Sequence, residues 1–212
     1  MGMQVLSRVC AYAVEEGKLA GNPCKGFKAL YVSNRAEMIW NDSDIARIKQ
    51  FCPPEIAHAI DLAAATGLRK GDLLRLSCSH IGDDAIAITT GKSKHRKEAI
   101  IPLYDGLRDV LARIPKRATT VLTNSKGLPW TEDGFGTMFN YAKTHAGIGD
   151  LHFHDLRGTA ATRFYVAGLP ERVTAEIMGW AEDSVAKIIR KYVDRTAATR
   201  AIIRQLNDQK VN

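Results

Sequence analysis

The sequence predicts a mainly α fold of the α+β class: a multi-helix domain with one small antiparallel β-hairpin. Three observations carry this prediction. Apolar residues recur at helical spacing through most of the chain after residue 40. Only two short stretches alternate with a period of two, and they stand close together. The chain has 212 residues, 45% hydrophobic and 25% charged, which is ordinary for a globular protein with a core of useful size.

The elements follow in order. Val5, Leu6, Val9, Ala13 and Val14 set a helix over 4–16, and Gly17 with Gly21-Asn22-Pro23 stops it. A lone helix cannot bury its own apolar face. Residues 1–23 are therefore expected to be the last helix of a domain that is otherwise missing. Residues 24–37, without a sustained period and carrying Lys25, Lys28 and Arg35, read as a linker. A second domain is expected over 38–212. Asn41-Asp42-Ser43-Asp44 opens a helix that Pro53-Pro54 ends. The next helix fits 55–66, with Gly67 as its stop. Residues 84–90 and 98–103 alternate as strands around the basic tip Gly91-Lys92-Ser93-Lys94-His95-Arg96-Lys97, with Pro102 at a strand end. Helices are then expected over 104–113, 131–145, 155–167, 171–178, 184–191 and 196–208. Gly168-Leu169-Pro170 separates two of them.

Composition excludes several classes. No apolar run is long enough for a membrane span, and the first residues lack the charged and apolar regions of a signal peptide. Cys10, Cys24, Cys52 and Cys78 match no zinc spacing and read as free thiols, Cys52 and Cys78 as packing residues. An intracellular protein is expected. The net charge of +7 favours a polyanionic partner without specifying one.

A phosphodiester is a poor electrophile because its anionic oxygens repel nucleophiles. An enzyme must neutralise that charge, supply a nucleophile and protonate the leaving oxygen. The sequence offers no convincing carboxylate cluster for magnesium, since Asp83-Asp84, Glu132-Asp133 and Glu182-Asp183 read as turns or caps. His152-x-His154-Asp155 lacks a further ligand at metal spacing. Guanidinium groups can do the same work, gripping two phosphate oxygens at once. Arg157 follows His154 by three residues, one helical turn on the same face. Taken alone, that pair is a surface pair on a helix. Arg69 follows the helix-stopping Gly67; alone it is a solvated loop arginine. Asp72, three residues on, can orient Arg69 by a salt bridge or cap the following Leu73-Leu74 helix. Tyr192 comes 35 residues after Arg157. Ionising a tyrosine at pH 7 costs roughly 4 kcal/mol, a cost that neighbouring cations and a base offset. Tyr165, on the helix just after Arg157, fits core packing better.

Several ordered motifs together resemble one family. Ala65-Thr66-Gly67-Leu68-Arg69-Lys70-Gly71-Asp72 and Leu151-His152-Phe153-His154-Asp155-Leu156-Arg157-Gly158-Thr159 resemble the two signature boxes of the tyrosine recombinases, nearest to phage and prophage integrases. Ile177-Met178-Gly179-Trp180 with Arg190-Lys191-Tyr192 extends the likeness, which covers about residues 35–195. The first helix and Gly21-Asn22-Pro23 resemble the end of that family's N-terminal core-binding domain.

The resemblance implies a site-specific DNA recombinase acting on double-stranded DNA through a 3′-phosphotyrosyl intermediate, without metal or cofactor. Tyr192 matches the nucleophile, Arg69 and Arg157 the phosphate clamp, and His154 the residue that bonds the phosphate and helps deprotonate the tyrosine. Trp180 stands where many members carry histidine; its indole N–H donates but shuttles no proton. The general acid for the leaving 5′-oxygen is Lys92 by motif or Lys94 by counting back from Pro102. The remaining cations of the tip, Lys94, Arg96 and Lys97, are expected on backbone phosphates. The interval from Trp180 to Tyr192 is longer than the commonest family spacing. The amphipathic tail 196–212 is expected to dock on a neighbouring protomer in a tetramer on DNA, or to pack on its own domain. A cytoplasmic protein of bacterial or phage origin follows. The rivals are topoisomerase IB-like relaxation of DNA and a catalytically idle DNA-binding module.

Overall fold

The computed structural model describes residues 2–27, 38–91 and 98–178, with Thr199 and Ile203 beyond them. The chain divides into two units, Met1–Arg35 and Ala36–Asn212. In the first, helix α1 (Gly2–Glu15) ends where Gly17 turns left-handed at φ 68°, letting the Gly17 and Lys18 amides close on Val14 and Ala13. Val5, Leu6 and Val9 are exposed, and α1 has no fully buried residue.

The second unit starts at a cap. The Asn41 side chain accepts the Asp44 amide at 2.8 Å and opens α2 (Asp42–Lys49). Acidic Asp42 and Asp44 lie in the first turn and basic Arg47 and Lys49 in the last, as the helix dipole favours. Pro54 opens α3 (Pro54–Thr66), where its missing N–H costs nothing. Helix α3 is the centre of the core. Ile56, Ile60 and Leu62 are fully buried, and Ala59, Ala63, Ala64 and Ala65 keep its flanks thin. Thin flanks let α5 (Asp105–Arg113) and α7 (Leu156–Val166) both pack against it.

Strands β1 (Ala85–Thr89) and β2 (Glu98–Pro102) pair antiparallel, with Ala85 opposite Pro102 and Thr89 opposite Glu98. Ile86, Ile88, Ala99 and Ile101 face the core, and their neighbours face out. An isolated hairpin is marginal in water. This one is backed by α8 (Glu171–Met178), which packs on β2. Short α4 (Lys70–Leu74) and long α6 (Glu132–His145) complete the described helices. Beside α6, Phe135 meets Phe153 edge-on at 5.0 Å, Phe139 meets Phe153 at 5.2 Å, and Trp40 meets Phe139 at 6.0 Å.

Three expected helices begin later than their periodicity indicates. Tyr104 and Thr131 are the extended caps of α5 and α6, and a 3₁₀ turn, Phe153–Asp155, takes the residues just before α7. Cys78 does not pack as expected: it is exposed, on the 3₁₀ turn Cys78–His80. The expected helices over 184–191 and 196–208 lie outside the described residues, except that Thr199 and Ile203 are helical.

Gly67 ends α3 at φ 66°. A Cβ there would run into the Met178 sulfur and lie 2.8 Å from its Cε and 3.2 Å from Ala160 Cβ. Gly67→Ala is expected to lower stability by about 2 kcal/mol, from backbone strain plus crowding. Gly149→Ala, with open space around the position, should be near neutral. Urea unfolding midpoints of the two variants check the contrast.

Candidate active site

The left-handed turn at Gly67 buries Leu68 and delivers Arg69 to the N-cap of α4, its side chain 26% exposed. Asp72 is not the helix cap that its position allowed. It lies inside α4, 3% exposed, facing inward. Its Oδ2 is 4.0 Å from Arg69 Nη1. Its Oδ1 accepts the Arg75 guanidinium and, at 2.9 Å, the Gly91 amide. Gly91 is the last described residue before the hairpin tip. One buried carboxylate therefore holds two arginines and the near end of the hairpin. Such a group is stable only while its partners remain.

Arg157 enters the same region from α7. It is 4% exposed, donating through Nη1 to the Gly67 carbonyl and through Nη2 to the Met178 carbonyl at 2.9 Å. Charge-assisted bonds of this kind are among the stronger ones available. The fork joins the end of α3 to the end of α8, so the segment bearing Arg69 and the segment leading to Gly179-Trp180 meet at one guanidinium.

His154 is not on one helix with Arg157. It projects from the 3₁₀ turn Phe153–Asp155, exposed, while Phe153 and Asp155 on either side are buried. An exposed histidine and a buried arginine do not make a surface pair. The turn is fixed from several directions. Asp155 Oδ2 accepts the His152 amide at 2.7 Å, and the Asp155 amide returns to the His152 carbonyl at 3.0 Å. Trp40 Nε1 also donates to that carbonyl, at 2.9 Å. Trp40 is itself held by Thr159, whose hydroxyl accepts the Trp40 amide at 2.9 Å and donates to the Trp40 carbonyl at 3.0 Å.

The structure thus brings together Arg69, Asp72 and Arg157 through Gly67, and fixes the turn that carries His154. Lys92, Lys94, Arg96, Lys97, Trp180 and Tyr192 lie outside the described residues. Sequence reading missed Arg75, Trp40 and Thr159. The i,i+3 spacing of Arg75 from Asp72 was a usable signal; nothing local marks Trp40, whose partners are more than a hundred residues away. Among the described residues, no three His, Cys, Asp or Glu side chains gather as a metal site. No helix among them is long and apolar enough to cross a membrane.

Residues 39–198 match the phage integrase family. The chain belongs to the phage integrase family. It is 27% identical over 244 residues to a tyrosine recombinase XerC-like protein of Caldanaerobacter subterraneus subsp. tengcongensis, covering 93% of this chain and 62% of that protein. It is 26% identical over 189 residues to the integrase of Escherichia phage HK022, covering 82% of this chain and 52% of the relative. The chain therefore spans between about half and two thirds of the length of these two relatives. Its fold is that of a lambda integrase solved as a tetramer bound to a Holliday junction, with a TM-score of 0.72 at 22% identity, over 86% of this chain and 58% of that one. The expected architecture, helices around a small two-stranded sheet, is the fold of this family.

Removing the carboxylate of Asp72 strands two guanidinium groups and one amide. Asp72→Ala is expected to cost about 3 kcal/mol and to speed amide hydrogen exchange at Gly91 more than at the mid-strand Ile86. Exchange measured residue by residue separates this loosening of the hairpin from global unfolding.

Proposed function

We propose that this chain is the catalytic part of a site-specific DNA recombinase that cleaves and rejoins double-stranded DNA through a 3′-phosphotyrosyl bond. What supports the reading most is the Arg157 fork, which joins the Arg69 segment to the end of α8 inside a chain of the phage integrase family. The names of its relatives, recombinase and integrase, point the same way.

The roles are these. Arg69 and Arg157 hold the non-bridging oxygens of the scissile phosphate and offset charge that builds in the transition state. Tyr192 Oη attacks phosphorus. His154, displayed on its anchored turn, bonds the phosphate and takes the tyrosine proton. Lys92, or Lys94 two residues on, protonates the departing 5′-oxygen. The Trp180 indole donates to a phosphate oxygen. Lys94, Arg96 and Lys97 meet backbone phosphates beside the cleavage point. Asp72 orients Arg69 and ties the hairpin base to it. The phosphotyrosine retains the bond energy until a 5′-hydroxyl attacks, so no cofactor is called for, and the guanidinium pair takes the place of a metal ion.

Tyr192 is preferred to the described tyrosines for physical reasons. The Tyr104 hydroxyl donates to the Ala65 carbonyl at 3.0 Å, and burial pushes its pKa up. Tyr165 is half-buried on α7, and Tyr141 lies tilted against His145, ring centres 4.0 Å apart, on the exposed face of α6.

Residues 1–23 are assigned to the last helix of an N-terminal core-binding domain, 24–37 to a linker and 38–212 to the catalytic domain. The working form is a tetramer on DNA in the cytoplasm of a bacterial host, assembled through the tail 196–212. An apolar cavity of about 690 Å³ in the second unit, floored by Ala64, Ala65, Val110, Phe164 and Ile177, has the character to receive such a tail. Ile203 of the tail is 51% exposed.

The deciding experiment uses a nicked duplex chosen from a randomised pool by binding to this chain. Wild type should form a covalent protein–DNA adduct that survives denaturation, with or without EDTA. Tyr192→Phe should form none, and Arg69→Ala or Arg157→Ala about a hundredfold less. Adduct formation with plasmid relaxation but no paired-site exchange would instead mark a topoisomerase; DNA binding without adduct would mark an idle module. In a separate test, Ile203→Asp should weaken protein–protein assembly on DNA in sedimentation while leaving the circular dichroism of the free chain unchanged.

A further inference from the structure

The buried Asp72 carboxylate serves two guanidinium groups unequally. Its Oδ1 accepts Nη2 of Arg75 and, at 2.9 Å, the Gly91 amide. Its Oδ2 faces Arg69 Nη1 at 4.0 Å, beyond hydrogen-bond reach. Arg69 is thus oriented by the carboxylate without being gripped by it. Arg75 is the arginine that is gripped. It stands at the C-cap of α4, where its Nε donates to the Gly71 carbonyl at 3.2 Å. Its guanidinium lies on the base of the hairpin: a Cβ on Gly91 would come 3.0 Å from Nη2 and 3.7 Å from Cζ. Lys70, the cation between the two arginines in sequence, is turned to Glu132, with Nζ 3.4 Å from Oε2.

We propose that Arg75 is a positioning residue for the recombinase chemistry on which this subsection rests: by occupying Oδ1 it keeps Asp72 from closing on Arg69, and so leaves the Arg69 guanidinium open to the scissile phosphate. A carboxylate this deeply buried must be compensated. Arg75 brings a full positive charge to Oδ1, where the Gly91 amide alone brings a dipole. Without Arg75, the positive charge left within reach, among the described residues, is Arg69. A guanidinium and a carboxylate pair most strongly through two parallel bonds, and Arg69 already stands at the edge of that contact. Once so paired, it must break a charge-assisted bond before it can hold a phosphate oxygen, and the clamp is weakened. Arg75 itself touches neither phosphate nor tyrosine. It acts on the cleavage step through Asp72 and Arg69.

Charge, rather than bulk or one hydrogen bond, is what the position requires. Glutamine keeps a donor for Oδ1 but no charge. Lysine keeps the charge, as a point rather than a fork. The Arg75 side chain is 57% exposed, so its truncation opens no cavity in the core.

The full 212-residue chain is held in saturating excess over the selected nicked duplex, and covalent adduct is timed over a single turnover. Arg75→Ala and Arg75→Gln should each be slowed about tenfold, with the circular dichroism of the free chain unchanged. Arg75→Lys should recover most of the rate. In an Arg69→Ala background, Arg75→Ala should slow the adduct further by less than about twofold, because the residue it acts through is gone. If Arg75→Ala does not fold, Arg75→Gln takes its place in this cycle. Equal slowing in both backgrounds would overturn the proposal and put Arg75 to work on the hairpin or the DNA instead. So would a wild-type rate in the alanine and glutamine variants, or a lysine variant as slow as the glutamine one. Absence of adduct from wild type sinks the recombinase reading and the role of Arg75 together. Adduct from wild type with any of these contrary results sinks the role of Arg75 alone.

Discussion

A buried positive charge is costly unless every direction around it is satisfied. In this protein that constraint falls on Arg157. Its guanidinium is almost closed to solvent and is fastened to two carbonyls from distant parts of the chain, Gly67 and Met178. The Gly67 carbonyl stands just past the last turn of α3, where backbone oxygens lack partners within the helix. The arginine thus meets a need of α3 while it holds α8 through Met178. Helix α7, which carries it, must lie between them, and the Phe153–Asp155 turn must come directly before. The placement of three helices and of His154 follows from one side chain finding its acceptors.

The approach that this interaction demands explains the small residues around it. Gly67 comes close enough to Met178 and Ala160 that a single added carbon has no room. The alanine run Ala63-Ala64-Ala65 belongs to the same logic, since larger side chains would hold α5 and α7 away from α3. Asp72 repeats the pattern with opposite charge. It is also buried, and it also reaches across the fold, here to Arg75 and the Gly91 amide. Two buried charges of opposite sign, each compensated by its own set of partners, frame the region where Arg69 emerges.

Much of the fold was legible in the sequence because its signals are local. Asn41 at a helix start, Gly67 as a stop and the alternation around Ile86 and Ile101 each act within a few residues. The interior role of Arg157 was not legible, because periodicity marks a position and not the carbonyls it will meet. The same limit hid Trp40, whose indole reaches His152 across 112 residues of chain. The reading of His154 and Arg157 as a surface pair missed a difference in burial. The buried Asp155 turns back to cap the His152 amide, so His154 sits exposed on a 3₁₀ turn that leads directly into α7, while Arg157 one turn later is buried. Within the site, Arg69 and Asp72 were visible as residue types in a motif, whereas the grip of Asp72 on Gly91 depends on hairpin placement that no local pattern encodes.

Trp40 has one more consequence. It lies four residues past the point at which the second unit begins. It is also bolted to Thr159 by its backbone and to the His152 carbonyl by its ring. The first described residues of the second unit are therefore fastened, through Trp40, to the turn that carries His154 and to the helix that carries Arg157.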